Sequence, residues 1–202
     1  MKGNELVWRT LVDGAVSGNR TWRNVGDLAF AAGVPASTAY LALERLESNG
    51  SIDRYRGGGL AVVSVEKVLT MLCAWRNLQR DTIVMTTRAA IEPFLTDDQR
   101  PYALGGPDAA NVHLKGRAVS DFHEHIVYLP DSLTLPELPE GSEVRVLAMD
   151  KRAMKMWQGY SSIAQTYADL FASPGWQASE FRKALGDEYF SGREWVESGV
   201  RR

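Results

Sequence analysis

The chain holds 202 residues, 45% hydrophobic and 24% charged, with a net charge of −2 and a single cysteine. That composition excludes wholesale disorder, and the length suffices for two small domains or one of generous size. No apolar run approaches the ~18 residues that span a bilayer, so no membrane association is expected. The opening MKGNELVWRT lacks the apolar stretch and cleavage site of a secretory leader, and Cys73 has no partner for an internal disulfide. A cytoplasmic protein is expected, with Cys73 a buried thiol in an apolar helical pattern.

Bulk charge argues neither for nor against nucleic acid, so its distribution matters more. Residues 1–75 hold eight basic and seven acidic side chains, a balance of +1, and the remainder holds 15 and 18, a balance of −3. Any nucleic-acid affinity must come from local placement of arginines.

In chain order, residues 5–16 place Leu6, Val7, Leu11 and Val12 near helical spacing and predict a first helix. NVGDLAFAAGV offers Asn24 as an N-cap, Val25, Leu28 and Ala29 as inward residues, and Gly33 as a left-handed end. A third helix follows from PASTAYLALERLESNG, with Pro35 in its first turn, Ala39, Leu43 and Leu46 facing the core, and Asn49-Gly50 closing it. SIDRYR and LAVVSV then flank Gly57-Gly58-Gly59, which predicts a glycine-tipped hairpin. The order helix, helix, glycine turn, helix, hairpin is that of a winged helix-turn-helix, and DLAFAAGVPASTAYLALERLESNGSIDRYRGGG resembles bacterial winged-helix repressors.

A major groove accepts one helix, whose N-terminal residues meet the base edges. The outward positions here are Ala36, Ser37, Thr38, Tyr40 and Leu41, with Glu44 and Arg45 one turn on. Ser37 and Thr38 are suited to bonding phosphates or bases, and equally to capping the helix. Tyr40 is suited to a phosphate or a thymine methyl, or to packing under the wing. Arg54 and Arg56 bracket the wing, and Gly57 and Gly58 permit close approach to a DNA backbone. Arg20 and Arg23, ahead of the second helix, are candidate phosphate clamps. The ligand so implied is double-stranded DNA. Winged helices also serve as protein-binding modules, and the two glutamates on this helix keep that alternative open.

VEKVLTMLCAWRNLQRD reads as a further helix leading out of the first domain, with no Gly/Ser/Pro linker at the boundary. The expected fold class is α+β: a winged helix-turn-helix over 1–75, then a mixed α/β domain over 76–202. In the second region DTIVMTTR, HIVYLP and SEVRVLAM are predicted strands, IEPFLTD and PDAANVH short helices, and TLPELPEGS a surface turn. SSIAQTYADLFAS and GWQASEFRKALGDEYF form a helix pair joined at Pro174-Gly175, with Tyr167, Leu170 and Phe171 expected in the core. Gln165 and Asp169, one turn apart, are candidates for a cap or a partner contact. In the tail, Trp195 and Val196 are expected to dock.

The segments YALGGPDAA (102–110) and Gln165 to Gly175, in this order and spacing, resemble the AbiEi-type antitoxins of type IV toxin–antitoxin systems. That resemblance spans nearly the whole chain. It implies a winged domain that binds operator DNA upstream of its own operon and represses it, and a C-terminal domain that neutralises a nucleotidyltransferase-like toxin. Both a homodimer on paired half-sites and cooperative monomers fit such a repressor.

Catalytic patterns are sparse. Gly105-Gly106 with Ala109-Ala110 reads as a tight strand-to-helix junction, since no phosphate-cradling glycine motif is present. Asp121, His123 and His125 would share one face if they lay on a strand, but without a fourth ligand they read as a solvated strand edge. No nucleophile–histidine–carboxylate order stands out, so the expectation is a non-enzyme with no cofactor and no metal. An aromatic pocket within residues 80–185, lined by groups such as Trp157 and Tyr160, would instead mark a small-molecule sensor.

Overall fold

The computed structural model describes residues 2–97, 101–117, 119–130 and 138–191. The chain is of mixed α and β structure and separates into two compact units. One comprises Lys2–Ala74 together with residues 186–191, and the other comprises Trp75–Leu185.

In the first unit, helix α1 (Gly3–Val16) buries Val7, Trp8, Leu11, Val12 and Ala15, the repeat of three and four that puts one stripe against a core. Leu6 is only half-buried, and Trp8 takes the place expected for it. The Trp8 indole N–H donates to the Ala42 carbonyl at 3.0 Å, so the polar end of this buried ring is satisfied. Strand β1 (Thr21–Trp22) precedes α2 (Val25–Ala32). The Asn24 side chain caps α2 by accepting from the Asp27 N–H at 2.8 Å, and Gly33 ends it in the left-handed region at φ 71°.

Helix α3 (Ala36–Ser48) starts after Pro35, which sits at the N-cap rather than inside the first turn. Pro35 provides no side-chain cap, and Ser37 and Thr38 lie inside the helix and not at its N-cap. Its inner face is Ala39, Ala42, Leu43 and Leu46, all fully buried. Each such leucine contributes about 1.5–3 kcal/mol relative to exposure. Strands β2 (Ile52–Arg54) and β3 (Leu60–Val62) form the expected hairpin, and β1 joins it to give an antiparallel sheet in the order β1-β3-β2. Leu60, Ala61 and Val62 of the central strand are all buried. Helix α4 (Val65–Trp75) buries Val65, Val68, Leu69, Leu72 and Cys73. The long helix expected through Asp81 is broken after Trp75. Asn77 caps a separate short helix, α5 (Leu78–Asp81), by accepting from the Arg80 N–H at 2.8 Å.

The second unit is built on a four-stranded sheet, formed by β4 (Thr82–Thr86), β5 (Ala103–Gly105), β6 (His125–Pro130) and β7 (Val144–Met149). Its order is β4-β7-β6-β5, with β6 and β7 parallel and the other pairs antiparallel. The two central strands are apolar on both faces, which is why HIVYLP and VRVLAM read as near-continuous runs. Ile126, Tyr128, Leu147 and Met149 face Leu78 and Ala153, while Val127, Leu129, Val144 and Val146 face Ile91 and Phe94. Around them lie α6 (Arg88–Leu95), α7 (Gly106–His113), α8 (Lys151–Met156), α9 (Ile163–Ala172) and α10 (Trp176–Tyr189). Helix α8 has no counterpart in the sequence analysis.

YALGGPDAA is a strand-to-helix junction, as its small residues suggest. A Cβ at Gly105 would lie 2.8 Å from Tyr128 Cε2 and 2.9 Å from Ile126 Cγ2, so only glycine lets the chain cross β6 this closely. The Gln165-to-Gly175 stretch owes its pattern to a buried polar cluster. Asp169, fully buried, accepts from Arg76 Nε at 2.8 Å, from Gln165 Nε2 at 2.9 Å and from the Tyr128 hydroxyl at 2.6 Å. Arg76 also donates to Tyr128 and to Asp81. Leu170 is buried as expected, but Phe171 is 46% exposed, with the Arg182 guanidinium 5.0 Å above its ring. Trp157, partly buried, packs edge-on against Tyr128 with ring centroids 5.1 Å apart, beside the core of this unit. Trp195 and Val196 lie outside the described residues, as does the first part of the proline-rich turn. No helix among the described residues is long and apolar enough to cross a membrane.

Candidate nucleic-acid interface

The first unit presents one surface on which the singled-out residues converge: the outer face of α3 and the adjoining hairpin. Burial of Ala39, Ala42, Leu43 and Leu46 leaves Ala36, Ser37, Tyr40, Leu41, Glu44 and Arg45 exposed on the opposite side. Tyr40 and Leu41 are 50% and 60% exposed. Thr38 is the departure. It is half-buried and turned toward α1, where a Cβ on Gly3 would lie 2.5 Å from Thr38 Cγ2.

The hairpin loop is closed by Tyr55 N–H donating to the Gly59 carbonyl at 2.8 Å and Gly58 N–H to the Tyr55 carbonyl at 2.9 Å. The three glycines do different things. Gly58 sits at φ 87°, which a side chain resists; Gly59 passes the Trp22 and Arg23 carbonyls, where a Cβ would lie 3.1 and 3.3 Å away; Gly57 is under neither constraint. Arg56 and Gly57 stand exposed at the tip.

Arg54 is not aimed at solvent alone. Its guanidinium lies 5.3 Å over the Tyr40 ring, and NH1 pairs with Glu47 Oε2 at 3.2 Å. Hairpin and helix are thereby joined through side chains at their outer surface, a contact no spacing rule shows. Cation and ring together are worth about 0.5–1 kcal/mol at such an exposed site. Tyr55, 51% exposed, and Phe30, 80% exposed, extend the apolar character of this unit's surface and were not singled out from the sequence. Arg23 is exposed, whereas Arg20 is half-buried and its carbonyl accepts from the Val62 N–H at 2.8 Å, which anchors it beside β3.

In the second unit, β6 begins only at His125, so Asp121 and His123 do not share a strand face with it, and the geometry behind that candidate cluster does not form. Among the described residues no three His, Cys, Asp or Glu side chains are placed to hold a metal. His125 Nδ1 instead meets Asp108 Oδ2 at 2.7 Å, tying β6 to the GGPDAA helix. That hydrogen bond raises the His125 pKa above its ordinary value; burial opposes the shift and the Asp108 charge adds to it. Glu124 is taken up by Arg145, whose Nε and NH2 reach its two oxygens at 2.8 and 3.2 Å.

No known protein family, no curated protein and no solved structure matches this chain.

Proposed function

We propose that residues 1–75 form a winged helix-turn-helix that binds double-stranded DNA, and that the protein is a sequence-specific, non-enzymatic transcriptional repressor of its own operon. One observation carries this reading: a helix ending at left-handed Gly33 leads into α3, whose N-terminal half is exposed beside a glycine-tipped hairpin bearing Arg54 and Arg56. In such a docking α3 enters the major groove, Ser37 and the uncapped N–H groups of its first turn meet a phosphate, and Arg56 and the glycines lie along the backbone. Arg23 supplies a further phosphate contact.

The antitoxin part of the reading rests on the resemblance of residues 102–110 and 165–175 to AbiEi-type antitoxins. On it, the second unit engages a nucleotidyltransferase-like toxin. A protein-binding role for the first unit is the alternative, favoured by Glu44 and Glu47 on the same face as exposed Tyr40 and Leu41.

Fluorescence anisotropy with the duplex upstream of the gene tests the repressor. Tight binding relative to a scrambled duplex is expected, with Arg54→Ala/Arg56→Ala weakening it and reducing the slope of log affinity against log salt by about 0.9, the share of the one phosphate contact assigned to Arg56. Equal, weak binding to both duplexes would reject it. Co-purification with the product of an adjacent nucleotidyltransferase-like gene tests the toxin partner.

A further inference from the structure

The half of α3 that would lead into a groove is short of hydrogen-bonding side chains. Between Ala36 and Leu41 only Ser37, Thr38 and Tyr40 carry polar atoms, and Thr38 is turned toward α1. What this half presents most prominently is apolar: Tyr40 and Leu41, large and at least half exposed. Among the four bases only thymine offers the major groove an apolar group, its C5 methyl. In the same unit Arg23, Arg45 and Arg56 are exposed, and their charge complements phosphates. The Tyr40 ring is also held in place, with Arg54 over it and Glu47 holding Arg54.

We propose that this surface reads sequence through thymine methyl groups, with Leu41 and Tyr40 as the specificity-determining residues and the Arg54–Glu47 pair positioning Tyr40. The inference rests on the DNA-binding reading above and adds the chemical feature recognised. An apolar side chain set against a thymine methyl costs little desolvation on entering the groove. Glutamates on the following turn disfavour a register in which phosphates approach α3 from its C-terminal half.

The test uses the full chain and the same upstream duplex in two forms, one with every thymine replaced by deoxyuridine. That exchange removes the methyls and keeps the hydrogen-bonding edges. Each methyl buried is worth roughly fourfold in affinity, so one contact by each of the two residues predicts about sixteenfold weaker binding to the deoxyuridine duplex. Leu41→Ala, at an exposed position, is expected to shrink that ratio to roughly fourfold or less. Glu47→Gln, which loosens Arg54, is expected to shrink it less than Tyr40→Ala does. Tight, specific binding with equal affinity for the two duplexes would overturn methyl readout while leaving the DNA-binding reading standing. A thymine preference unchanged in both Leu41→Ala and Tyr40→Ala would also overturn it, since the methyls would then be sensed elsewhere or through DNA shape. Absence of specific binding to either duplex would take both readings down together.

Discussion

At the scale of residues, the second unit is held by charges taken out of water in matched sets. Arg76 and Asp169 have side chains 1% and 0% exposed, and Asp169 accepts three hydrogen bonds. Burial opposes the charge on Arg76, but Tyr128, Asp169 and Asp81 outweigh it and raise its pKa. For Asp81 burial likewise favours the neutral form, yet the hydrogen bond from Arg80 and the charge of Arg76 hold its pKa below the usual carboxylate value. Asp169→Asn places an amide donor among three donors and leaves Arg76 short of a counter-charge. It is expected to cost about 3–5 kcal/mol, read as a shift of the urea midpoint; a cost under about 1 kcal/mol would contradict the account.

His125 gives a pH-dependent counterpart. Because its pKa is raised in the folded state, the Asp108 contact stabilises fully below the ordinary histidine value of about 6.5 and is lost as pH rises through the folded value. The difference in Tm between wild type and His125→Gln should therefore be largest in mild acid and shrink toward alkaline pH. A difference that stays constant, or grows with pH, would show that the contact is not linked to protonation.

At the scale of elements, the DNA-binding reading proposed above makes α3 separate stability from recognition across its two faces. Leu46 is fully buried and Leu41 is 60% exposed, although both are leucines of one helix. Leu46→Ala is expected to cost about 2–5 kcal/mol through the cavity it leaves. Leu41→Ala should stay within about 0.5 kcal/mol of wild type and alter only DNA binding. Chemical denaturation of the two variants side by side checks this, and equal losses would mean the helix faces are misassigned. The apolar period made α3 and its inner face legible, and the caps at Asn24 and Gly33 did the same for α2. Strand β1 was not legible: two residues carry no alternation, and the strand exists only because β3 pairs with it. The break between α4 and α5 was hidden because apolar spacing runs on past Trp75, while Asn77 and the burial of Arg76 decide otherwise.

At the scale of the whole molecule, charge sets what the proposed repressor can do without its operator. A net charge of −2 and a first region of only +1 give little general attraction to DNA. Affinity for an unrelated duplex is expected to be no tighter than about 10⁻⁴ M at physiological salt, the weak end of non-specific binding. Titrating a scrambled duplex at two salt concentrations measures this. Micromolar, steeply salt-dependent binding would mean that arginines beyond Arg23 and those on α3 and the hairpin engage phosphates.

The α+β class, the order of the main elements and the inner faces of α2, α3 and α4 were legible in the sequence, because these follow from local period, caps and turn residues that act over a few positions. GGPDAA was legible as a tight strand-to-helix junction and Gln165 and Asp169 as a polar pair one turn apart, without the partners that require them. Tertiary structure alone decided their meaning. Gly105 is required by the side chains of β6, and Asp169 is required by an arginine 93 residues away. It alone turned Thr38 toward α1, left Phe171 half exposed, and brought Arg54 over Tyr40. The physical reason is the same in each case: these contacts join residues far apart in the chain, and neither spacing nor propensity carries information about a partner that only folding supplies.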